Sequence, residues 1–338
     1  MELIRLHNIS KIGILLFLIL GSCSKDDDII EEHNYHYIKL NAKITADQIG
    51  DGSGALDPKG IAISKDLLYV CNGDVLEVFN AQSLHHVKTI TSYTKGSASI
   101  KFASLTSIAI DSGRIYLGST ESRLFVLDES TGTGINVVGN GQWWTTFVHV
   151  FGVTVGDGLV FVKEKQNSIK VFETSQITET SDWNITPIAK LNTINGGTEV
   201  YSMGVEDGNL VVAGRNTEAF LYYNTSEIIA NAQVSMTTPI LPAYEPYEGV
   251  KPTAIDFTED WAITSEKVGS NSHLRFYPKH EFTKKGFIAE VDALDVMGGN
   301  PFGEIYSIAQ LGHRVFLSDN SNQQIMVIQL ETSSIIER

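Results

Sequence analysis

The 338-residue chain sets 25 Lys and Arg against 40 Asp and Glu, and its formal net charge of −15 disfavours nucleic acid and anionic membrane surfaces as partners. Its 8 prolines and its lack of strong helical periodicity argue against a long disordered arm and against long helices. About 300 residues of ordered chain are enough to bury a large core in one domain.

Lys11 is followed by IGILLFLILGSC, an apolar run of about ten residues ending at Cys23. That length is too short to span a bilayer as a mature helix and fits the apolar core of a secretory signal. The end of the run, Leu20-Gly21-Ser22-Cys23, resembles the lipobox of bacterial lipoproteins. The resemblance implies a signal peptide over 1–22, cleavage before Cys23, and acylation of its thiol and amine by chains such as palmitate. A plain secretory signal is the alternative. Removing 1–22, with Glu2, Arg5 and Lys11, leaves 23 basic and 39 acidic residues, a net charge of −16. Ser24-Lys25-Asp26-Asp27-Asp28 opens a polar tether to residue 35. It is similar to the acidic export signal that sends some Gram-negative lipoproteins to the cell surface. An outer-membrane protein held by lipid alone, with the cell surface as its location, is the expectation; the periplasmic face is the alternative. One acyl chain binds a membrane only marginally, and each buried methylene adds ~0.8 kcal/mol, so several chains anchor firmly. Once Cys23 carries lipid, Cys71 is the one thiol left and no internal disulfide is available. Cys71 ends a strand and is expected to pack as a small core residue.

HYIKLNAKI at 36–44 alternates apolar and polar residues and reads as a strand. Six copies of one phrase follow, beginning at Ile61, Ile108, Val153, Met203, Ile255 and Ile308, at spacings of 47, 45, 50, 52 and 53 residues. Each holds three short runs rich in Val, Ile, Leu, Phe and Tyr, separated by Asp-Gly, Gly-Asn or Ser-Asn; these are strands A, B and C of a repeat. A fourth, strand D, is expected at 86–90, 135–139, 185–191 and 287–291, with MTTPIL at 236–241 the weakest. The sixth copy runs out, since only ETSSIIER follows IMVIQL. Four-stranded units at this spacing predict an all-β, six-bladed β-propeller over 36–338, with blades starting near 58, 105, 150, 200, 252 and 305. The strand 36–44 is expected to complete the last blade and so remove its free edge. A β-sandwich array of similar repeats is the alternative.

Aligning the repeats gives two polar rings on the face formed by the D-to-A and B-to-C connections. Asp57, Ser104, His149, Glu199, Lys251 and Glu304 precede the A strands; Asn72, Ser119, Glu164, Arg215, Glu266 and Asp319 close the B strands. Blades four and six add Glu199, Tyr201 and Ser202, and Glu304, Tyr306 and Ser307. Paired carboxylates suit Ca²⁺ or acid–base chemistry; alternatively, the tyrosines pack between blades and the glutamates pair with Lys251 and Arg215. Trp143, Trp144, Tyr244 and Tyr247 lie in the loops entering blades three and five, where flat rings suit sugar faces or peptide side chains, or else close the mouth. Trp183 and Trp261 are expected to be structural.

The sixth blade, RVFLSDNSNQQIMVI at 314–328, resembles the NHL-type repeat of six-bladed propellers, and blade one, with PKGIAI and LYVCNG, is similar but weaker. Asp319 and Asn72 fall where that repeat has aspartate; Ser119, Glu164, Arg215 and Glu266 depart from it. Propellers of this type include protein-binding modules, and the expectation here is a monomeric binding module for a glycan, peptide or envelope protein. The ligand-binding candidates are Trp143, Trp144, His149, Glu199, Tyr201, Arg215, Glu266, Glu304, Tyr306 and Asp319. The alternatives are a scaffold subunit of an envelope complex, or a Ca²⁺-dependent lactonase or esterase with Glu199 or Glu304 as ligand and His149 as base. Within the propeller repeats no His-x-His or Asp-x-Asp cluster supplies a preformed metal site, so no catalytic residue or metal ligand is assigned.

Overall fold

The computed structural model describes residues 31–49, 55–142, 146–165, 168–192, 200–214, 219–230, 250–268, 271–282, 291–292 and 302–337. The chain divides into two compact units, Met1–Tyr37 with Thr332–Arg338, and Ile38–Glu331. In the first, the described residues, 31–37 and 332–337, are extended strand. The second is the propeller.

The described chain opens with β1 (Glu31–Ile44). Blade 1 comprises β2 (Pro58–Ser64), β3 (Leu67–Asn72), β4 (Val75–Asn80) and β5 (His86–Ile90), and a small hairpin, β6 (Ser92–Lys95) and β7 (Ala98–Lys101), follows it. Blade 2 is β8 (Leu105–Asp111), β9 (Arg114–Ser119), β10 (Arg123–Asp128) and β11 (Gly134–Val138); blade 3 is β12 (Val150–Gly156), β13 (Leu159–Glu164), β14 (Ser168–Glu173) and β15 (Ala189–Asn192). In blade 4 the described strands are β16 (Val200–Glu206), β17 (Asn209–Gly214) and β18 (Ala219–Asn224). Blade 5 holds β19 (Val250–Phe257), β20 (Trp261–Val268), β21 (Asn271–Pro278) and β22 (Val291–Asp292). Blade 6 is β23 (Ile305–Leu311), β24 (Arg314–Asp319) and β25 (Gln324–Glu337), with β1 as its fourth strand. The N-terminal strand therefore closes the last blade, as its alternation predicts.

In blades 2, 3 and 4 a Ser-Gly or Asp-Gly pair adopts the left-handed turn that joins the first two strands of the meander. Asp157, Gly158, Asp207, Gly208, Ser112 and Gly113 all have positive φ between the first and second strands of their blades. The inner strands contact one another in the closed order β2, β8, β12, β16, β19, β23 and back to β2. Alternate side chains of each strand enter the gap to one neighbouring blade or the other, so the core is six slabs between blades. Tyr69, Cys71 and Val78 of blade 1 pack with Leu105, Leu117 and Phe125 of blade 2, whereas Leu68 and Val70 pack with Phe316 and Val327 of blade 6. Ile38 and Ile44 of β1 enter the slabs on either side of blade 6. Polar clamps reinforce the slabs: the Arg114 guanidinium donates to the carbonyls of Thr174 and Ile177 in blade 3, and Arg314 repeats the clamp on Ala81 and Gln82 in blade 1.

One outer-strand expectation changes, and two fall wholly or partly outside the described residues. The expected strand 185–191 is reduced to Ala189–Asn192, because Pro187 has no N–H to donate to a ladder. The run 287–291 is strand at Val291–Asp292, paired with Arg275 and Phe276, and its first four residues lie outside the described residues, as does 236–241. Trp183, expected to be structural, is 39% exposed, whereas Trp261 packs edge-on against Phe276.

Candidate functional site

Every inner strand carries a β-bulge at the same place. The register between first and second strands slips at Pro58/Ile61, Leu105/Ser107, Val150/Gly152, Val200/Ser202, Pro252/Ala254 and Ile305/Ser307. A bulge inserts an extra residue, bends the strand and re-aims a side chain. Here it turns Lys59, Thr106, Phe151 and Tyr306 into a central channel of about 610 Å³. Phe151 is 36% exposed at this opening. Tyr201 holds the equivalent backbone position in β16, and in blade 5 Thr253 is buried, its hydroxyl donating to the Ser265 carbonyl.

Three residues further along, the inner strands place Ala62, Ala109, Thr154, Gly204, Asp256 and Ala309 around the channel at one level. Five are small; the sixth is a carboxylic acid. Desolvation inside the channel pushes the Asp256 carboxyl up to about 7, aided by the charge of Glu206 and opposed by the hydrogen bond it accepts from the Phe257 N–H. Glu206 itself is ion-paired with Lys279 at 2.6 Å. Neither Asp256 nor Phe151 was singled out in the sequence. Aligning the inner-strand positions exposes Asp256, since that column otherwise holds only Ala, Thr and Gly.

The polar ring at the ends of the B strands has an internal role. Asp319, fully buried, accepts from the Gly303 and Asn322 N–H groups, the Asn322 amide at 2.8 Å and the Gln324 amide at 3.0 Å. Glu266, 1% exposed, accepts from the Thr264 hydroxyl, the Tyr277 hydroxyl and the Arg275 guanidinium, each at 2.7 Å. Glu164 accepts from the Val148 N–H, the Ser168 hydroxyl and the Lys170 ammonium. Asn72 accepts from the Asp57 N–H, and the Ser119 hydroxyl donates to the Ala103 carbonyl. In blades 1, 2, 3 and 6 the same B-strand position thus holds down the loop that enters the A strand.

The other ring belongs partly to the joints between blades. Asp57 accepts from Asn320 at 2.6 Å, tying blade 1 to blade 6. Glu304 faces Lys267 of blade 5 at 3.5 Å. His149 has φ +53°, and its Nδ1–H donates to the Thr120 carbonyl of blade 2. Tyr306 alone among the described candidates lines the channel; Trp143, Trp144, Glu199 and Arg215 lie outside the described residues, as does Cys23. Among the described residues no group of three or more His, Cys, Asp or Glu side chains is placed to hold a metal ion. Cys71 is buried and its thiol is pushed far up by desolvation, consistent with a packing role.

No protein-family model matches the sequence, and no curated protein matches it. Solved structures do resemble the fold. A chain of the mitotic checkpoint complex superposes with TM-score 0.51 at 11% identity, covering 78% of this chain and 71% of that one. The β-propeller domain of Cps50 (Swd1) from Myceliophteria thermophila superposes with TM-score 0.55 at 8% identity, covering 86% of this chain and 99% of that one. At these identities the likeness shows the fold alone, a β-propeller, whose six blades in this chain are those described above.

Proposed function

We propose that the protein is an envelope-anchored, surface-displayed binding module that takes an extended segment of a partner protein at the mouth of its channel. The observation that carries this reading is the repeated bulge, which presents a cation, Lys59, and two aromatic rings, Phe151 and Tyr306, at one concave opening. Such a set stacks apolar side chains and meets backbone carbonyls or an acidic group of an extended peptide. One similar chain is part of the mitotic checkpoint complex, a protein assembly, which supports a protein partner. Trp143, Trp144, Tyr201 and Arg215 belong to the same proposal as further contacts. The anchor rests on the lipobox-like Leu20-Gly21-Ser22-Cys23, and surface display on Asp26, Asp27 and Asp28 after it.

The test is a binding screen of the protein against peptide and glycan arrays, followed by Phe151→Ala and Tyr306→Ala. Each substitution is expected to weaken peptide binding by ~2 kcal/mol, roughly thirtyfold, at unchanged melting temperature. Capture of glycans and not peptides would replace the protein partner by a saccharide. Binding that falls only in step with thermal stability would make the two rings packing residues and overturn the reading.

A further inference from the structure

Asp256 costs the fold something and gives it nothing in return that the described residues show. Among them, one donor reaches its carboxyl, the N–H of Phe257. The five equivalent positions carry no charge, and Asp256 itself lines the channel. Its charged surroundings are sparse. On β16, Glu206 is held by Lys279; β23 contributes Tyr306 and the uncharged Gln310; on β20 its register partner is Ile263. Apart from Tyr222 and Tyr223, β17 and β18 contain no ionisable side chain. Lys59 sits on β2, at the bulge level, 3.7 Å from Asp57.

We propose that the channel at the level of Asp256 is a second binding site, distinct from the mouth, which takes an ammonium or guanidinium group carried on a short aliphatic stem. The carboxylate on the channel wall offers acceptors to such a head group, and the cavity of about 610 Å³ leaves room for the stem. A divalent cation is disfavoured, because Ca²⁺ needs six to eight oxygen ligands and Glu206, the nearest second carboxylate, already holds Lys279. An anionic ligand would meet two acids. The head group has two possible sources, a free small amine or a Lys or Arg side chain of a peptide, and both present the same chemistry. The site does not depend on what the mouth binds.

Butylammonium, guanidinium and a capped lysine peptide serve as probes in calorimetric titrations of the full chain at pH 6 and pH 8. Binding requires the carboxylate, so affinity is expected to rise roughly tenfold from pH 6 to pH 8, with proton release on binding near neutral pH. Asp256→Asn, which keeps the side-chain size, is expected to abolish it. Ala109→Leu, in blade 2, which lies opposite blade 5 in the closed order of inner strands, narrows the channel and is expected to abolish it without touching the acid. Tighter binding of butylammonium assigns a free amine; tighter binding of the peptide assigns a basic side chain. Failure of every probe to bind at millimolar concentration, pH-independent binding, or unchanged affinity in Asp256→Asn would each overturn the proposal. Loss of partner binding in Phe151→Ala with retained amine binding separates this site from the mouth.

Discussion

Asp256 and Glu266 lie ten residues apart in blade 5 and differ in what surrounds the carboxylate. Glu266 is enclosed by Arg275, Tyr277 and Thr264, so its charge is matched by a guanidinium and two hydroxyls. Asp256 has a backbone N–H and a neighbouring negative charge. Their substitutions therefore act in opposite directions. Glu266→Gln removes the carboxylate that Arg275 faces at 2.7 Å and is expected to cost about 3 kcal/mol, read from denaturant unfolding. For Asp256 the carboxyl is raised from 3.8 in the unfolded chain to about 7, so the folded state binds its proton more tightly. Stability is thus lost as pH rises between these values, and the full penalty is present above the folded value. Asp256→Asn is expected to raise the melting temperature by at least ~2 °C at pH 8, with the gain fading towards pH 4. A gain independent of pH would show that the acid is not desolvated.

At the scale of elements, the closing strand carries more of the fold than its position at the edge of a sheet implies. Residues 38–44 of β1 complete blade 6, and Ile38 and Ile44 each enter a different slab of the core. Two buried isoleucines contribute ~1.5–3 kcal/mol each, before the ladder with β25 is considered. A chain that begins at residue 46 is expected to lose at least ~3 kcal/mol and to unfold as a whole, because both joints of blade 6 are opened together. Thermal melting with hydrogen exchange checks this: protection lost only in blade 6 would show that the ring does not close cooperatively. The bulges are the other element-scale feature. They leave the register of the second and third strands of every blade unbroken while adding one residue to each inner strand.

Across the whole molecule, the blades are joined by a device that alternates. In blades 2, 4 and 6 the residue after the bulge is Ser107, Ser202 or Ser307; in blades 1, 3 and 5 it is Gly60, Gly152 or Ala254. The Ser202 hydroxyl donates to the Ile255 carbonyl at 3.1 Å and accepts from the Ile255 N–H at 3.2 Å, and Ser307 repeats both bonds with Ile61. Gly60 is needed because a Cβ there would lie 2.5 Å from the Ser107 Cα of blade 2. The location of this molecule follows from our proposal for Cys23. Cys23→Ala is expected to shift the protein from the membrane to the soluble fraction, or to leave the precursor uncut. Replacing Asp26, Asp27 and Asp28 by Ala is expected to remove protease accessibility on intact cells while keeping the membrane fraction. Unchanged fractionation of Cys23→Ala would end the lipid-anchor reading.

The sequence by itself determined the repeat and, through it, the ring. Strand runs and Asp-Gly turns are local signals, so six copies at nearly constant spacing, and the missing last strand, were readable without any contact map. It also located the polar positions that close the B strands. What those positions do was decided only in three dimensions, because a carboxylate's role depends on partners distant in the chain or across a turn. Asp319 and Glu266 read as ligand candidates and are enclosed by internal donors. Conversely, Phe151 and Asp256 read as ordinary strand residues. Period-two alternation predicts which face of a strand a residue is on, but a bulge shifts that assignment, and only closure of the six inner strands turns one such face into a channel.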